Sequence, residues 1–133
     1  MAKKSSLGVI ACVVFVLVLV PLIGHAKSAG SGPMKGICVY YNDAFQGHIL
    51  ASGEKYDKDA LTAAHKSLPF GTKVKVTNLA NKKSVVVRVN DRGPHGGSKS
   101  KIIEITSRAA QEIDMIKEGK VQVQVEVIEL GKK

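Results

Sequence analysis

The sequence predicts a mainly β protein: a small closed barrel of short strands with one short amphipathic helix. Three observations carry this expectation. Apolar and polar residues alternate strictly from Val121 to Val127 and again from Lys73 to Thr77, the period of half-buried strands. Only Ser107 to Ile116 carries apolar residues (Ala109, Ala110, Ile113 and Ile116) at helical spacing. Many short strands in a chain of 133 residues would leave sticky edges unless the sheet closes on itself.

The first stretch is set apart from that fold. Lys3 and Lys4 precede an apolar run from Leu7 to Gly24, and Gly24-His25-Ala26 offers small residues at the exit. This is the arrangement of a secretory signal peptide, expected over residues 1–26. The alternative is a permanent anchor, since the run approaches the roughly 18 residues that span a bilayer. Pro21 and the small-residue exit favour cleavage. Val9-Ile10-Ala11-Cys12 loosely resembles a lipoprotein processing site, but most of the apolar run follows the cysteine instead of preceding it. Membrane contact is expected only through this segment if it is retained.

Removing residues 1–26 takes two of the twenty Lys and Arg and none of the eleven Asp and Glu. The remaining 107 residues carry a formal charge of +7, which attracts polyanions such as anionic lipid or wall polymers. Export argues against nucleic acid as a partner. Cys38 is the single cysteine of the remaining chain, so no disulfide framework exists and the core must hold the domain together. Beside Val39 and Tyr40 it reads as a small buried residue.

Residues 27–35 are rich in Ser, Gly, Ala and Lys and read as a flexible leader; the domain is expected over 36–130. Gly36 to Tyr41 is the first strand. Asn42 to Ser67 is irregular and polar, with Gly47, Gly53 and Asp57 as turn formers. Its Phe45, Ile49, Leu50, Tyr56 and Leu61 suggest a loop packed on the barrel. Lys73 to Thr77 and Ser84 to Asn90 form a hairpin around a turn at Leu79 to Lys83. Lys101 to Ile105, the helix, and Val121 to Val127 complete the domain.

Asp91 stands out by parity. Val85, Val87 and Val89 share one strand face, and Asp91 is the next residue in that row. A carboxyl group closing an apolar row sits at the rim of the core, where partial desolvation suits it to proton donation. Gly93-Pro94 then turns the chain. The alternative is an aspartate capping the turn through the amides that follow it. Spacing alone gives Glu54 and His65 no role. His48, His65 and His95 are the only histidines on which a zinc site could be built, and no two show ligand spacing on one element. No phosphate loop and no distinct nucleophilic serine is present, so neither a metal nor a cofactor is expected.

Three ordered stretches carry a resemblance. Leu61-Thr62-Ala63-Ala64-His65-Lys66-Ser67-Leu68-Pro69-Phe70-Gly71-Thr72, Val74 to Leu79, and Ser84 to Pro94 with its Asn90-Asp91-Arg92-Gly93-Pro94 end resemble the rare lipoprotein A family. Gly53-Glu54-Lys55-Tyr56-Asp57 matches that family's upstream element. The likeness runs from about Gly36 to Ile128. It implies a six-stranded double-psi β-barrel with one or two short helices, the fold shared with expansins and barwin-like proteins. It also implies a lytic transglycosylase, a lyase of peptidoglycan in the bacterial periplasm or cell envelope.

Such enzymes break the bond between N-acetylmuramic acid and N-acetylglucosamine without water, leaving a 1,6-anhydro end. The resemblance places Glu54, His65 and Asp91 along the active groove. Asp91 would be the acid and base, and Glu54 and His65 would position the sugar or tune Asp91's charge. Tyr56, Lys66, Asn90, Arg92 and Glu104 are secondary candidates for substrate binding. The implied partner is the glycan strand, and the protein is expected to act as a monomer. Gln46 replaces the family's usual His, Leu50 its usual Thr, and Glu104 an Asp. The glycan-binding repeat domain of some members is not expected here. Two other readings stay open: an expansin-like wall-binding module without catalysis, and an inverting glycoside hydrolase on the same barrel.

Overall fold

The computed structural model describes residues 32–96 and 98–132, which belong to one compact unit. The expected signal segment, 1–26, and most of the expected leader, 27–35, lie outside the described residues. Six strands form the barrel: β1 (Met34–Tyr40), β2 (Thr62–Ala64), β3 (Lys73–Asn78), β4 (Ser84–Asp91), β5 (Lys101–Ile105) and β6 (Lys120–Glu129). One helix, α1 (Ser107–Glu112), and a single 3₁₀ turn at Asp43–Phe45 accompany them. Around the closed barrel the order is β1-β5-β2-β4-β3-β6. Two pairs run parallel, β1 with β5 and β2 with β4; the others are antiparallel. The expected six-stranded architecture is present.

Alternation fills the interior as the sequence requires. Val74 and Val76 of β3, Val85 and Val87 of β4, Ile103 and Ile105 of β5, and Val123 and Val125 of β6 make the core with Cys38 and Ala63. Burial pushes the Cys38 thiol far above its ordinary range, so it is a packing residue. Ala109, Ala110, Ile113 and Met115 plug the barrel from α1 and the turn that follows.

That helix is shorter than its periodicity suggests. Thr106 caps its start, with its Oγ1 accepting from Ala109 N. At its end Asp114 adopts a left-handed φ of 57°. Asp114 N–H bonds Gln111 O at 3.0 Å and Met115 N–H bonds Ala110 O at 3.1 Å, the paired bonds of a Schellman stop. Asn78 and Asn81 both donate to Ile113 O. Periodicity missed the stop because aspartate fills a place where glycine usually gives the signal.

β2 was also hidden, inside the stretch read as irregular. Its three residues are buried and too few to display a period. The rest of the 42–61 loop packs only in part. Leu50 and Tyr56 join Tyr41 and Ala64 in a second buried cluster, with the rings of Tyr41 and Tyr56 stacked at 4.4 Å. Phe45, Ile49 and Leu61, expected on the barrel, are instead exposed. Gln46 Oε1 accepts from Lys58 N at 2.8 Å and ties the two ends of the loop together.

β1 approaches β5 so closely that Gly36 tolerates no side chain. A Cβ there would meet Ile102 Cγ2 at 2.6 Å and Ser100 O at 2.8 Å. We expect Gly36→Ala to cost about 1–3 kcal/mol through overpacking, read as a lowered urea midpoint with an unchanged slope.

Candidate active site

The parity expectation for Asp91 needs correction, and the correction defines the site. Against β2, Ala63 pairs with Val89 but Ala64 pairs with Asp91, so a bulge leaves Asn90 over. Successive residues of β2 face opposite sides: Ala63 joins the barrel core and Ala64 the second cluster. Asp91 therefore leaves the row of Val85, Val87 and Val89 and shares the face of Ala64. Bulges re-aim side chains in this way. On the other side of β2, Ala64 also pairs with Glu104 of β5. The two acids thus flank one alanine at one register, with Cα atoms about 10 Å apart at two strand spacings. No spacing rule in the sequence could show this, because the three residues lie on three separate strands.

Asp91 and Glu104 line a cavity of about 380 Å³. Tyr41, Leu50, His48 and His95 contribute to its walls, and Phe45 and Ile49 lie at its exposed edge. Phe45 meets Tyr41 and His48 edge to face. Asp91 Oδ2 accepts from the Tyr41 hydroxyl at 2.5 Å and Oδ1 from Ala51 N at 2.9 Å. The turn-capping alternative needs bonds from the amides after Asp91; its carboxylate instead reaches back 40 and 50 residues. Burial, then the bond to Asp91, pushes the Tyr41 phenol far above its usual range, so it remains a donor. Burial raises Glu104 above the ordinary carboxylate range; His95 opposes this, Asp91 adds to it, and Lys101 opposes it.

Glu54 and His65, which the resemblance sets along the groove with Asp91, are not among the residues that line this cavity. Glu54 receives both Arg88 guanidinium nitrogens, at 2.8 and 2.9 Å, and Asn90 Nδ2 at 3.1 Å. Arg88 and Asn90 precede Asp91 on β4, so Glu54 grips the strand that carries Asp91 through its neighbours and not through the acid itself. The Arg88 and then the Asn90 hydrogen bonds hold the Glu54 carboxyl down at about 2. His65 is buried, and its Nδ1 accepts from Ser67 N and Leu68 N, both at 3.1 Å. Its own amide donates to Asp91 O at 3.1 Å. Burial, then Arg92 and Lys66, pushes its ring below the usual range.

The secondary candidates divide similarly. Glu104 is in the cavity. Tyr56 is 1% exposed and acts through its stack on Tyr41. Asn90 is buried; its Nδ2 serves Glu54, and its Oδ1 has no partner among the described residues. Arg92 donates to His65 O and Leu68 O and lies 4.1 Å over the Phe70 ring, which fixes the 65–70 turn. Lys66 lines a separate cleft with His65. Among the described residues no three His, Cys, Asp or Glu converge as a metal site requires. Likewise, no described helix is long and apolar enough to cross a membrane. Sequence reasoning missed Tyr41, whose only hint was its place at the end of the expected first strand.

A lytic transglycolase family model matches residues 34–125. The endolytic peptidoglycan transglycosylase RlpA of Campylobacter jejuni is 49% identical over 96 residues, covering 72% of this chain and 34% of that protein. The RlpA of Vibrio cholerae is 47% identical over 98 residues, with 73% and 36% covered. A probable one from Synechocystis is 46% identical over 94 residues, with 71% and 29% covered. The chain thus spans about a third of the length of these relatives. Among solved structures, Streptomyces papain inhibitor matches with a TM-score of 0.58 at 21% identity, covering 72% of this chain and 94% of its own. Clavibacter michiganensis expansin matches at 0.58 and 18%, covering 76% and 52%. Both likenesses concern the fold.

The Glu54 ion pair makes a pH-dependent contribution to stability. Its folded value of about 2 lies below the ordinary 4.5, so the stabilisation is present above pH 4.5 and is lost as pH falls toward 2. The Glu54 side chain is 44% exposed, and solvent screening limits the effect to about 1 kcal/mol. Denaturant titrations should find the parent more stable than Glu54→Gln at pH 6, with the gap closing between pH 4.5 and 2.

Proposed function

The chain belongs to the lytic transglycolase family, and we propose that it cleaves the β-1,4 bond between N-acetylmuramic acid and N-acetylglucosamine in peptidoglycan strands, forming 1,6-anhydro ends. The observation that carries this reading is the pair of carboxyl groups, Asp91 and Glu104, flanking Ala64 in one cavity. The names of the relatives support the substrate class and, with it, work in the cell envelope.

Two proton transfers are needed. The glycosidic oxygen takes a proton as its bond to the muramic acid C1 breaks. The C6 hydroxyl gives one up as its oxygen bonds to C1. Glu104, kept toward its protonated form by burial, suits the first transfer. Asp91 accepts hydrogen bonds on both oxygens and suits the second. Tyr41 and the Ala51 amide aim it. Phe45, exposed at the edge, offers an apolar face to a sugar ring. Glu54 and His65 act as positioning residues on either side of Asp91: one through Arg88 and Asn90, the other through its backbone amide.

A second reading uses the same acids. Two carboxyl groups set apart by the width of β2 leave room for a water between them, as inverting glycosidases require. That water would replace the C6 hydroxyl as nucleophile. In a third, non-catalytic reading the domain only grips the wall, as an expansin-like module would.

Mass spectrometry of muropeptides from digested sacculi separates the three. Anhydro ends support the transglycosylase, products heavier by one water support the hydrolase, and an unchanged profile supports binding alone. Asp91→Asn and Glu104→Gln should each slow release by about 10²–10⁴-fold, the usual weight of a general acid or base. Full activity in Glu104→Gln would return both transfers to Asp91. The raised Glu104 also predicts that activity persists to higher pH than an ordinary carboxylic acid would allow, and this limb of the rate profile should vanish in Glu104→Gln.

A further inference from the structure

A second cleft, about 460 Å³ in volume, gathers Lys35, Lys66, Lys99 and Lys101 around His65. These residues come from β1, the start of β5 and the turns before β5 and after β2. The five ion pairs among the described residues engage Lys58, Lys73, Lys83, Arg88 and Arg108. The four lysines of the cleft therefore have no described carboxylate within salt-bridge distance. Like charges crowded into a concavity raise the local positive potential and repel one another until an anion enters. His65 adds a directional donor: with Nδ1 accepting two backbone amides, its ring proton sits on Nε2. Met34 and Ile102 supply apolar wall.

The cleft adjoins the carboxyl cavity through two elements. β5 carries Lys101 and Ile102 into the cleft and Glu104 into the cavity, with Lys101 and Glu104 about 10 Å apart along the strand. On β2, Ala64 lies between the two acids and the next residue, His65, lines the cleft. Negative and positive groups thus occupy neighbouring positions on the same two elements.

We infer that this cleft binds carboxylates carried by the glycan strand, either the lactyl group of N-acetylmuramic acid or the peptide attached to it. The inference rests on the substrate class proposed above. A polymer with an acid on every second sugar would be held in one register, setting which glycosidic bond lies between Asp91 and Glu104.

The test measures strand binding by the full chain carrying Asp91→Asn, so that binding is read without turnover. The probes are soluble glycan strands stripped of peptides, the same strands with their carboxyl groups amidated, and strands with intact peptides. Amidation should weaken binding, and Lys35→Gln with Lys99→Gln should weaken binding of native strands roughly fivefold, as two exposed charge contacts would. That double variant should also respond less to amidation. Lys117→Gln with Lys120→Gln, which removes the same charge elsewhere, should bind as the parent does. Equal binding of native and amidated strands overturns the inference, and so does equal weakening by the two double variants. Tighter binding of peptide-bearing strands assigns the cleft to peptide carboxylates, and weaker binding assigns it to the lactyl group, whose carboxyl is consumed in the amide bond to the peptide; both uphold it. Absence of anhydro products from the parent would overturn the cleavage reading while leaving these binding results intact.

Discussion

The barrel and its site both depend on β2. Three buried residues, Thr62 to Ala64, join β4 to β5 and so close the sheet. Such a short strand contributes few ladder bonds, so its placement relies on small side chains that let its neighbours approach. Ala63 fits the core beside Ile105, and Ala64 packs in the second cluster with Tyr41, Leu50 and Tyr56. Closure therefore does more than remove sheet edges. It draws Asp91 and Glu104, which begin as remote positions in the chain, to either side of one methyl group.

Around this seam the structure divides its polar groups by task. Glu54, Arg88 and Asn90 brace the outer side of β4. Arg92 and His65 hold the turn after β2 through backbone carbonyls and amides. The cavity itself keeps its acids close to aromatic rings and histidines. Residues that a family pattern groups together can thus serve one reaction at different removes, some facing the substrate and some fixing those that do.

Much of the barrel was legible in the sequence because the strands of the interior obey strict alternation. β3 and β6 were found for that reason, and β4 as the antiparallel hairpin partner of β3, which their short connection implies. What stayed hidden had no period to display. β2 is too short, the α1 stop uses Asp114 in place of glycine, and the bulge at Asn90 depends on pairing with a strand that had not been seen. The bulge is the instructive case: parity placed Asp91 on the row of Val89, and one extra residue turned it to the opposite face. The motif pointed to a residue that lines the cavity, but the reason for its position required the partner strand. Likewise, Tyr41 meets Asp91 only through the fold, 50 residues away in sequence.

The bonds from Tyr41 and Ala51 to Asp91 have a further meaning for the molecule as a whole. They are direct hydrogen bonds between the end of β4 and the 41–51 segment, so the acid that lines the cavity also serves as a clasp for the loop that borders it. The proposed chemistry and the architecture would then be vested in the same two oxygen atoms. A lineage that lost the reaction would still have reason to keep the acid, and its persistence in a silent descendant would record a shape being maintained after an activity had gone.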